Sequence, residues 1–418
     1  MSYVLSEAQH GFLPHRSCVT NLATYLHHAW SSISDGCQTD TIYTDFSSAF
    51  QSVSHQLLIY KLKNSYHVSD KVLDWFTSYL SDREQRVVVN GKTSEWRNVT
   101  SGVPEGSLLA PFLFALFIND LPSAVKSSHC IMFADDVKLY HRVSKALDCV
   151  QLQSDLDSLS RWSADWKLNL NASKCFAFTA SLRTSPVQHP YSIDGSVLKR
   201  VTEVRDLGVI LDTKLTFSAH INQTVSKANR ALGILIRSFQ TGLPRQKFSK
   251  NTLQATYFAN VRSILEYGCV VWGGAARTHV ERLERVQHKF LMWMASRANN
   301  VVTHSLAYAE LLQAFDVPTL KARRLQYDLI FLRNIYRGRV DSPYLLRCFP
   351  LHIPGRATRR LSLFQAPFGR VNTVRTGIFS RIPEGMNAFL RTVPGVDIFN
   401  MSLCSFKTHV KSYVVTAP

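Results

Sequence analysis

The sequence predicts an α+β fold in its first half, followed by a mostly helical, basic second half. Residues 1–211 alternate short β-rich runs with helical patterns, as an α+β domain does. From about residue 218 onward, apolar residues recur at helical spacing. The charge divides at nearly the same place. Residues 1–211 hold 19 of the 48 Lys and Arg and 20 of the 30 Asp and Glu, so the net charge of +18 comes entirely from residues 212–418. A basic segment joined to a near-neutral one points to a polyanion partner, most often nucleic acid. A merely soluble basic surface is the alternative.

The elements follow in order. Thr41-Ile42-Tyr43-Thr44 is β-rich and runs straight into Asp45. A helix is expected next, with Leu57, Leu58 and Leu62 on one face, then another over Lys71 to Leu80. Arg86 to Asn90 reads as a Val-rich strand closed by the turn pair Asn90-Gly91. The loop Gly102-Val103-Pro104-Glu105-Gly106 opens a helix whose apolar positions are Leu109, Phe112, Leu113, Leu116 and Phe117, with Pro111 near its start, where proline is tolerated. Ile131 to Ala134 and Val137 to Tyr140 are two β-like tetrads around Asp135-Asp136, the pattern of a hairpin. A long helix with Leu152, Leu156, Leu159, Trp162 and Trp166 on its buried stripe follows. Val204 to Leu211, with Gly208 inside, reads as a strand or tight hairpin.

Beyond it, two basic helices are expected. One has the stripe Ile221, Val225, Ala228, Leu232 and Leu235; the other has Val280, Leu283, Gln287, Phe290, Leu291 and Met294. After residue 340 the periodicity weakens and assigns no element.

Several classes are excluded. The longest apolar run, Leu108 to Ile118, is too short to span a bilayer, and no membrane partner is expected. The first residues lack a basic region followed by an apolar stretch, so no secretory signal is read. The eight cysteines include no CxxC pair, which argues against a zinc site or redox motif and suits reduced thiols.

Asp45 closes one β-rich run, and Asp135-Asp136 lie at a predicted hairpin tip in the same half. Carboxylates at a strand end and a neighbouring hairpin tip are what two divalent ions about 3.5–4 Å apart require for phosphoryl transfer. Taken alone the dipeptide has a plainer reading, because Asp is simply a good turn residue.

Further segments surround these three carboxylates: Gln9-His10-Gly11-Phe12 with Arg16-Ser17; Asp45-Phe46-Ser47-Ser48-Ala49-Phe50 with His55; Gly102 to Pro111, running on to Phe117-Ile118-Asn119-Asp120-Leu121-Pro122; Phe133-Ala134-Asp135-Asp136; Asn169 to Lys174; and Asp206-Leu207-Gly208-Val209. In this order and spacing they resemble the reverse transcriptase of a non-LTR (LINE-type, jockey-like) retrotransposon. Arg262 to Gly268 with Trp272, and the tail from Phe379 to Tyr413, are similar to the C-terminal part of the same elements.

The resemblance implies a right-hand polymerase: partial fingers and a palm with an antiparallel core sheet over 1–211, a helical thumb over 212–300 and a mostly helical, basic C-terminal extension over 301–418. It implies RNA-directed DNA synthesis with two Mg²⁺ ions, an RNA template, a DNA primer and dNTPs, in the nucleus or cytoplasm of a cell. The sequence sets no oligomeric state. Because the chain opens within the fingers segment, an N-terminally truncated copy is expected, and a catalytically inactive relic that only binds nucleic acid is the alternative.

Site roles are implied in the same way. Asp45 and Asp135 would be the main metal ligands and Asp136 the supporting one. Phe46, Phe50, Gly102, Pro104, Glu105, Gly106 and Lys174 would surround the incoming nucleotide, with Phe50 rejecting the 2′-hydroxyl and Lys174 near the leaving pyrophosphate. A core aromatic and a solvated loop lysine are the plainer readings of those two. Leu207 and Gly208 would hold the primer end, unless they form a strand bulge. Arg16 contacts phosphate or is a surface arginine. Glu105 stands where the family has glutamine, and a carboxylate there opposes an incoming triphosphate.

Overall fold

The computed structural model describes residues 4–241, 249–299, 307–353, 362–366 and 371–416. They fall into two units, Met1–Thr202 and Glu203–Pro418.

The first unit starts with helix α1 (Cys18–Ser34), whose N-terminus is closed by a reciprocal pair: Ser17 accepts from the Thr20 N–H, and the Thr20 hydroxyl oxygen accepts from the Ser17 N–H. Strand β1 (Gln38–Thr44) leads through a loop to α2 (His55–Asn64) and α3 (Asp70–Leu80). Four two-residue strands follow, β2 to β5 (Glu84–Gln85, Val88–Val89, Lys92–Thr93, Arg97–Asn98). Then come α4 (Ala110–Ile118), β6 (His129–Phe133), β7 (Asp136–Val143), α5 (Ala146–Asp165), β8 (Phe176–Ala180), the small pair β9 (Ser192–Ile193) and β10 (Ser196–Val197), and β11 (Lys199–Val201).

The sheet runs β11-β8-β1-β7-β6, and only the β11–β8 pairing is parallel. Its central strand β1 is buried almost throughout, which its β-branched residues suit. The Thr41 hydroxyl bonds the Tyr25 hydroxyl of α1 at 2.9 Å. On the other face the buried Asp40 accepts from Gln38, Thr179 and Tyr191, each at 2.9 Å. A buried charge is tolerated only with such partners.

Helix α4 is apolar all round, and its Leu113, Phe114, Phe117 and Ile118 have no exposed surface. Burying each such side chain contributes about 1.5–3 kcal/mol. Lys61 is buried beside it. Its ammonium donates to the Phe117 carbonyl and to Asp120 and lies 3.6 Å from the Trp166 ring centroid. Burial lowers its pKa to about 8 despite the Asp120 charge.

The second unit opens with the hairpin β12 (Glu203–Asp206) and β13 (Val209–Asp212). It continues with α6 (Ser218–Thr241), α7 (Lys250–Tyr257), a π-turn over Phe258–Arg262, α8 (Ser263–Glu266), α9 (Cys269–Trp272), α10 (Arg277–Asn299), α11 (Tyr308–Phe315), α12 (Leu320–Tyr336), α13 (Pro343–Cys348), α14 (Asn372–Arg375), α15 (Ile378–Thr392) and α16 (Leu403–Thr416). Tyr257 stacks on Phe290 at 4.0 Å, joining α7 to α10. Arg381 of α15 holds the buried Asp328 of α12 with two hydrogen bonds and also reaches the Val270 carbonyl. Among the described residues no helix is long and apolar enough to cross a membrane.

Two expectations change. The hairpin turn falls on Ala134 and Asp135, and Asp136 is already the first residue of β7, paired with Phe133. Arg86 to Asn90 is not one strand: only Val88–Val89 pairs there, and Val87, Val88 and Val89 are all exposed, because this excursion packs on no core. The weakly periodic stretch after residue 340 does form helices, α13 to α16, where it is described.

The loop entering β6 is tied to α5 by one carboxylate. Asp155 accepts from the backbone N–H groups of Lys126, Ser127 and Ser128 at 2.6 to 3.0 Å. Burial alone would raise its pKa, but these bonds outweigh that and hold it below the ordinary carboxylate range. Replacing Asp155 by Ala is expected to cost about 1–3 kcal/mol, since it removes a charged acceptor from three part-buried N–H donors. The stabilisation is present above the unfolded-state pKa and is lost as pH falls through the lower folded value. Thermal melts of parent and variant should therefore converge below about pH 4.

Candidate active site

Strand β1 ends at Thr44, and the chain at once bridges to a second loop. The Asn171 N–H donates to the Asp45 carbonyl at 2.8 Å, and Phe46 forms a bridge with Leu170. That loop carries Lys174, whose ammonium lies 3.3 Å from Asp45 Oδ2. Oδ2 is otherwise buried with no hydrogen-bond donor. An oxygen so enclosed, facing the ammonium of an exposed lysine, is suited to a cation.

Asp135 occupies the β6–β7 turn. Burial raises its carboxyl above the ordinary range; a hydrogen bond from its own backbone N–H works against this, and the charge of Asp45 adds to the rise. The Asp45 charge thus acts on Asp135 across the paired ends of β1 and β7. Asp136, the next residue, is exposed. Among the described residues no group of three or more His, Cys, Asp or Glu side chains is arranged to hold a metal ion. The fold thus sets Lys174 on Asp45 and places Asp135 within reach of the Asp45 charge, while Asp136 does not complete a cluster of three.

The turn itself is held by a residue that the sequence reading assigned only to a motif. Ala134 has φ +58°, which costs a residue with a Cβ. The Gln9 side chain, 1% exposed, accepts from the Ala134 N–H at 3.0 Å and from the Gly11 N–H at 2.8 Å. A Cβ on Gly11 would fall 2.4 Å from the Ala134 nitrogen, so only glycine allows this approach. The Met132 N–H donates to the Ala8 carbonyl, and the Met132 carbonyl accepts from the His10 N–H and the Asn21 amide. Arg16 is committed here too, donating to the Glu7 and Gln9 carbonyls. Sequence spacing could flag Gln9 and Gly11 as a motif, but not as the brace of a turn more than a hundred residues away.

The remaining residues divide. Phe50 stacks on Phe114 at 4.4 Å and meets Phe12 edge-on at 6.1 Å. Phe46 is 4% exposed and packs into the core rather than towards solvent, so its expected nucleotide contact is not offered by its side chain. Gly102 has φ +91°, and a Cβ there would lie 2.8 Å from the Gln51 backbone. Its N–H donates to the Val53 carbonyl, and its carbonyl bonds the His55 ring at 2.8 Å. This docks the 102–106 loop against the chain that carries Phe50. Pro104 is half-buried, Glu105 exposed, and Gly106 open on all sides with φ +81°. Leu207 and Gly208 form the β12–β13 turn of the second unit, both with positive φ.

Asp135 carries a stability cost that its replacement would remove. Its folded pKa is raised, so ionising it above that value weakens the fold, and the cost vanishes once the group is protonated. In metal-free buffer Asp135→Asn is expected to melt no lower than the parent at pH 7. Any gain should shrink as pH falls towards about 4. A variant that melts well below the parent at neutral pH would contradict this electrostatic reading.

Residues 2–211 match the family described as "Reverse transcriptase (RNA-dependent DNA polymerase)". The chain is 28% identical over 298 residues to the probable RNA-directed DNA polymerase from transposon BS of Drosophila melanogaster, covering 68% of this chain and 32% of that protein. It is 30% identical over 267 residues to the RNA-directed DNA polymerase from mobile element jockey of Drosophila funebris, covering 60% of this chain and 27% of that protein. The chain thus spans about a third or less of the length of these curated relatives. Among solved structures, telomerase from Candida albicans in complex with a fragment of telomeric RNA aligns at 11% identity, with a TM-score of 0.39, covering 81% of this chain and 55% of that one. Reverse transcriptases generally depend on divalent metal. By its match over residues 2–211, the chain belongs to the reverse transcriptase (RNA-dependent DNA polymerase) family and is similar to the jockey-like, non-LTR members of it.

Proposed function

We propose that the chain acts as an RNA-directed DNA polymerase of a jockey-like non-LTR retrotransposon, extending a DNA primer on an RNA template with dNTPs. The observation that carries this reading is the pairing of Asp45 and Asp135 at a strand end and a hairpin turn, beside Lys174, in a chain of this family.

The donor set suits hard cations: oxygen ligands, one of them buried without a donor. Two Mg²⁺ would be held by Asp45 and Asp135, with Asp136 in support, and when bound would activate the primer hydroxyl and neutralise the leaving pyrophosphate. The chain's own residues do the rest. Asp45 orients the Lys174 ammonium, a proton donor at the site that would protonate the leaving pyrophosphate. Gln9 fixes the turn that aims Asp135. Phe50, braced by Phe114, would stand beneath the sugar and reject ribonucleotides by steric clash. The 102–106 loop presents backbone to the template and nucleotide. In the second unit, α6 and α10 form a groove lined by Asn229, Arg282, Arg285 and Lys289, suited to phosphates along a duplex.

Purified protein given an RNA template, an annealed DNA primer, Mg²⁺ and dNTPs should extend the primer, and Asp135→Ala should abolish extension while leaving duplex binding intact. Template binding without extension by the parent would leave only the nucleic-acid-binding relic.

The exposed Glu105 generates a second expectation. Exchange for Gln removes a negative charge from the nucleotide loop, so Glu105→Gln is expected to lower the KM for dNTP about three- to tenfold, the effect of roughly 1 kcal/mol of like-charge repulsion. An unchanged KM would show that Glu105 does not face the triphosphate.

A further inference from the structure

The motif from Arg262 to Gly268 has no role in the reading above, yet its tyrosine reaches the β12–β13 turn. The Tyr267 hydroxyl donates to the Leu207 carbonyl at 2.8 Å. Its ring covers Gly208 so closely that a Cβ there would lie 2.8 Å from Tyr267 Cε1. The turn needs such a hold. Leu207 and Gly208 both have positive φ (43° and 86°), and this costs Leu207, which has a Cβ.

Tyr267 is itself rigidly mounted. It sits between α8 and α9, where Gly268 takes the left-handed conformation. Its carbonyl accepts from the Trp272 indole N–H at 2.8 Å, and Trp272 is buried. The preceding residue, Glu266, is bound by Arg323 through both carboxylate oxygens and by the Tyr327 hydroxyl, which ties the segment to α12. On the strand that leaves the turn, the Ile210 N–H lies 3.3 Å from the His220 ring, which in turn meets the Trp272 ring at 5.5 Å. The turn is therefore gripped from one side by a phenol that is 47% exposed.

We infer that Tyr267 is a positioning residue for the primer 3′ end: it holds the Leu207–Gly208 turn in the one conformation that can seat the terminal nucleotide. This rests on the reading of that turn as the grip on the primer. The phenol acts through the turn backbone, so it should matter for where the primer end lies rather than for how tightly the duplex is bound.

The test uses the full chain with a DNA primer carrying a photoreactive base at its 3′ terminus, annealed to an RNA template. In the parent, irradiation should cross-link the primer end to the peptide 203–212. Tyr267→Phe keeps the ring on Gly208 and loses only the hydrogen bond, which is expected to reduce the cross-link about fivefold. Tyr267→Ala loses both contacts and should reduce it about tenfold or more. Duplex affinity should stay within about twofold of the parent in both variants. Single-turnover incorporation at saturating dNTP should fall in step with the cross-link, while the KM for dNTP is unchanged.

The inference is overturned if both variants cross-link like the parent, if duplex affinity falls in parallel with the cross-link, or if the parent cross-links elsewhere. Should Tyr267→Ala fail to fold, Tyr267→Phe decides. A parent that cross-links in a Tyr267-dependent way but never extends the primer would refute the polymerase reading alone.

Discussion

The ladder between β1 and β7 pairs Thr44 with Val137, and the remainder of the candidate site depends on that register. One step beyond this pair lie Asp45, just past β1, and Asp136, the first residue of β7, with Asp135 next to it in the turn. A slip of one residue would turn every side chain to the opposite face and part the carboxylates. The register is held at several points. The Thr44 hydroxyl donates to the Val137 carbonyl, Tyr25 reaches Thr41 from α1, and the buried Asp40 gathers donors from Gln38 of its own strand, Thr179 of β8 and Tyr191 before β9. Each of these polar groups is buried and would be costly to strand, so together they allow one alignment.

The same sheet has to tolerate what it brings together. Burial and the nearby Asp45 charge disfavour the ionised form of Asp135, and one Asp45 oxygen is enclosed without a donor. The surrounding structure offsets this with contacts that bear on backbone. Gln9 satisfies the turn N–H groups, Gly11 leaves room for them, and Asp155 anchors the loop that leads into β6. A strained turn next to repelling carboxylates is where a polymerase reading expects stability to be sacrificed for function.

The two units use one device twice. In each, a two-residue hairpin turn contains a residue with a Cβ at positive φ, Ala134 in the first and Leu207 in the second. In each, a side chain from a distant part of the sequence hydrogen-bonds the backbone of that residue: Gln9 to Ala134, Tyr267 to Leu207. A turn built with glycine at these positions would relax without help. One built with Ala or Leu keeps its shape only while the brace is present, which ties turn geometry to the packing of the whole unit.

Much of this was legible in the sequence. β-rich runs mark β1, β6 and β7, and period-3.6 patterns mark α5, α6 and α10, because strand burial favours β-branched and apolar residues and one-sided helix burial imposes its spacing on the residues themselves. The carboxylates, Lys174, and the glycines at 102, 106 and 208 stood out because their chemistry or backbone freedom is carried by the residue type. Other features are relations between residues far apart in the chain, which no local pattern encodes. Tertiary structure alone decided that the turn falls on Ala134–Asp135, that Phe46 turns inward, that the Val87–Val89 run lies exposed, and that Gln9 and Tyr267 brace turns 125 and 60 residues away. The sequence by itself determined which groups are available for chemistry. Which of them meet was settled by strand register and by the need to satisfy every buried backbone donor.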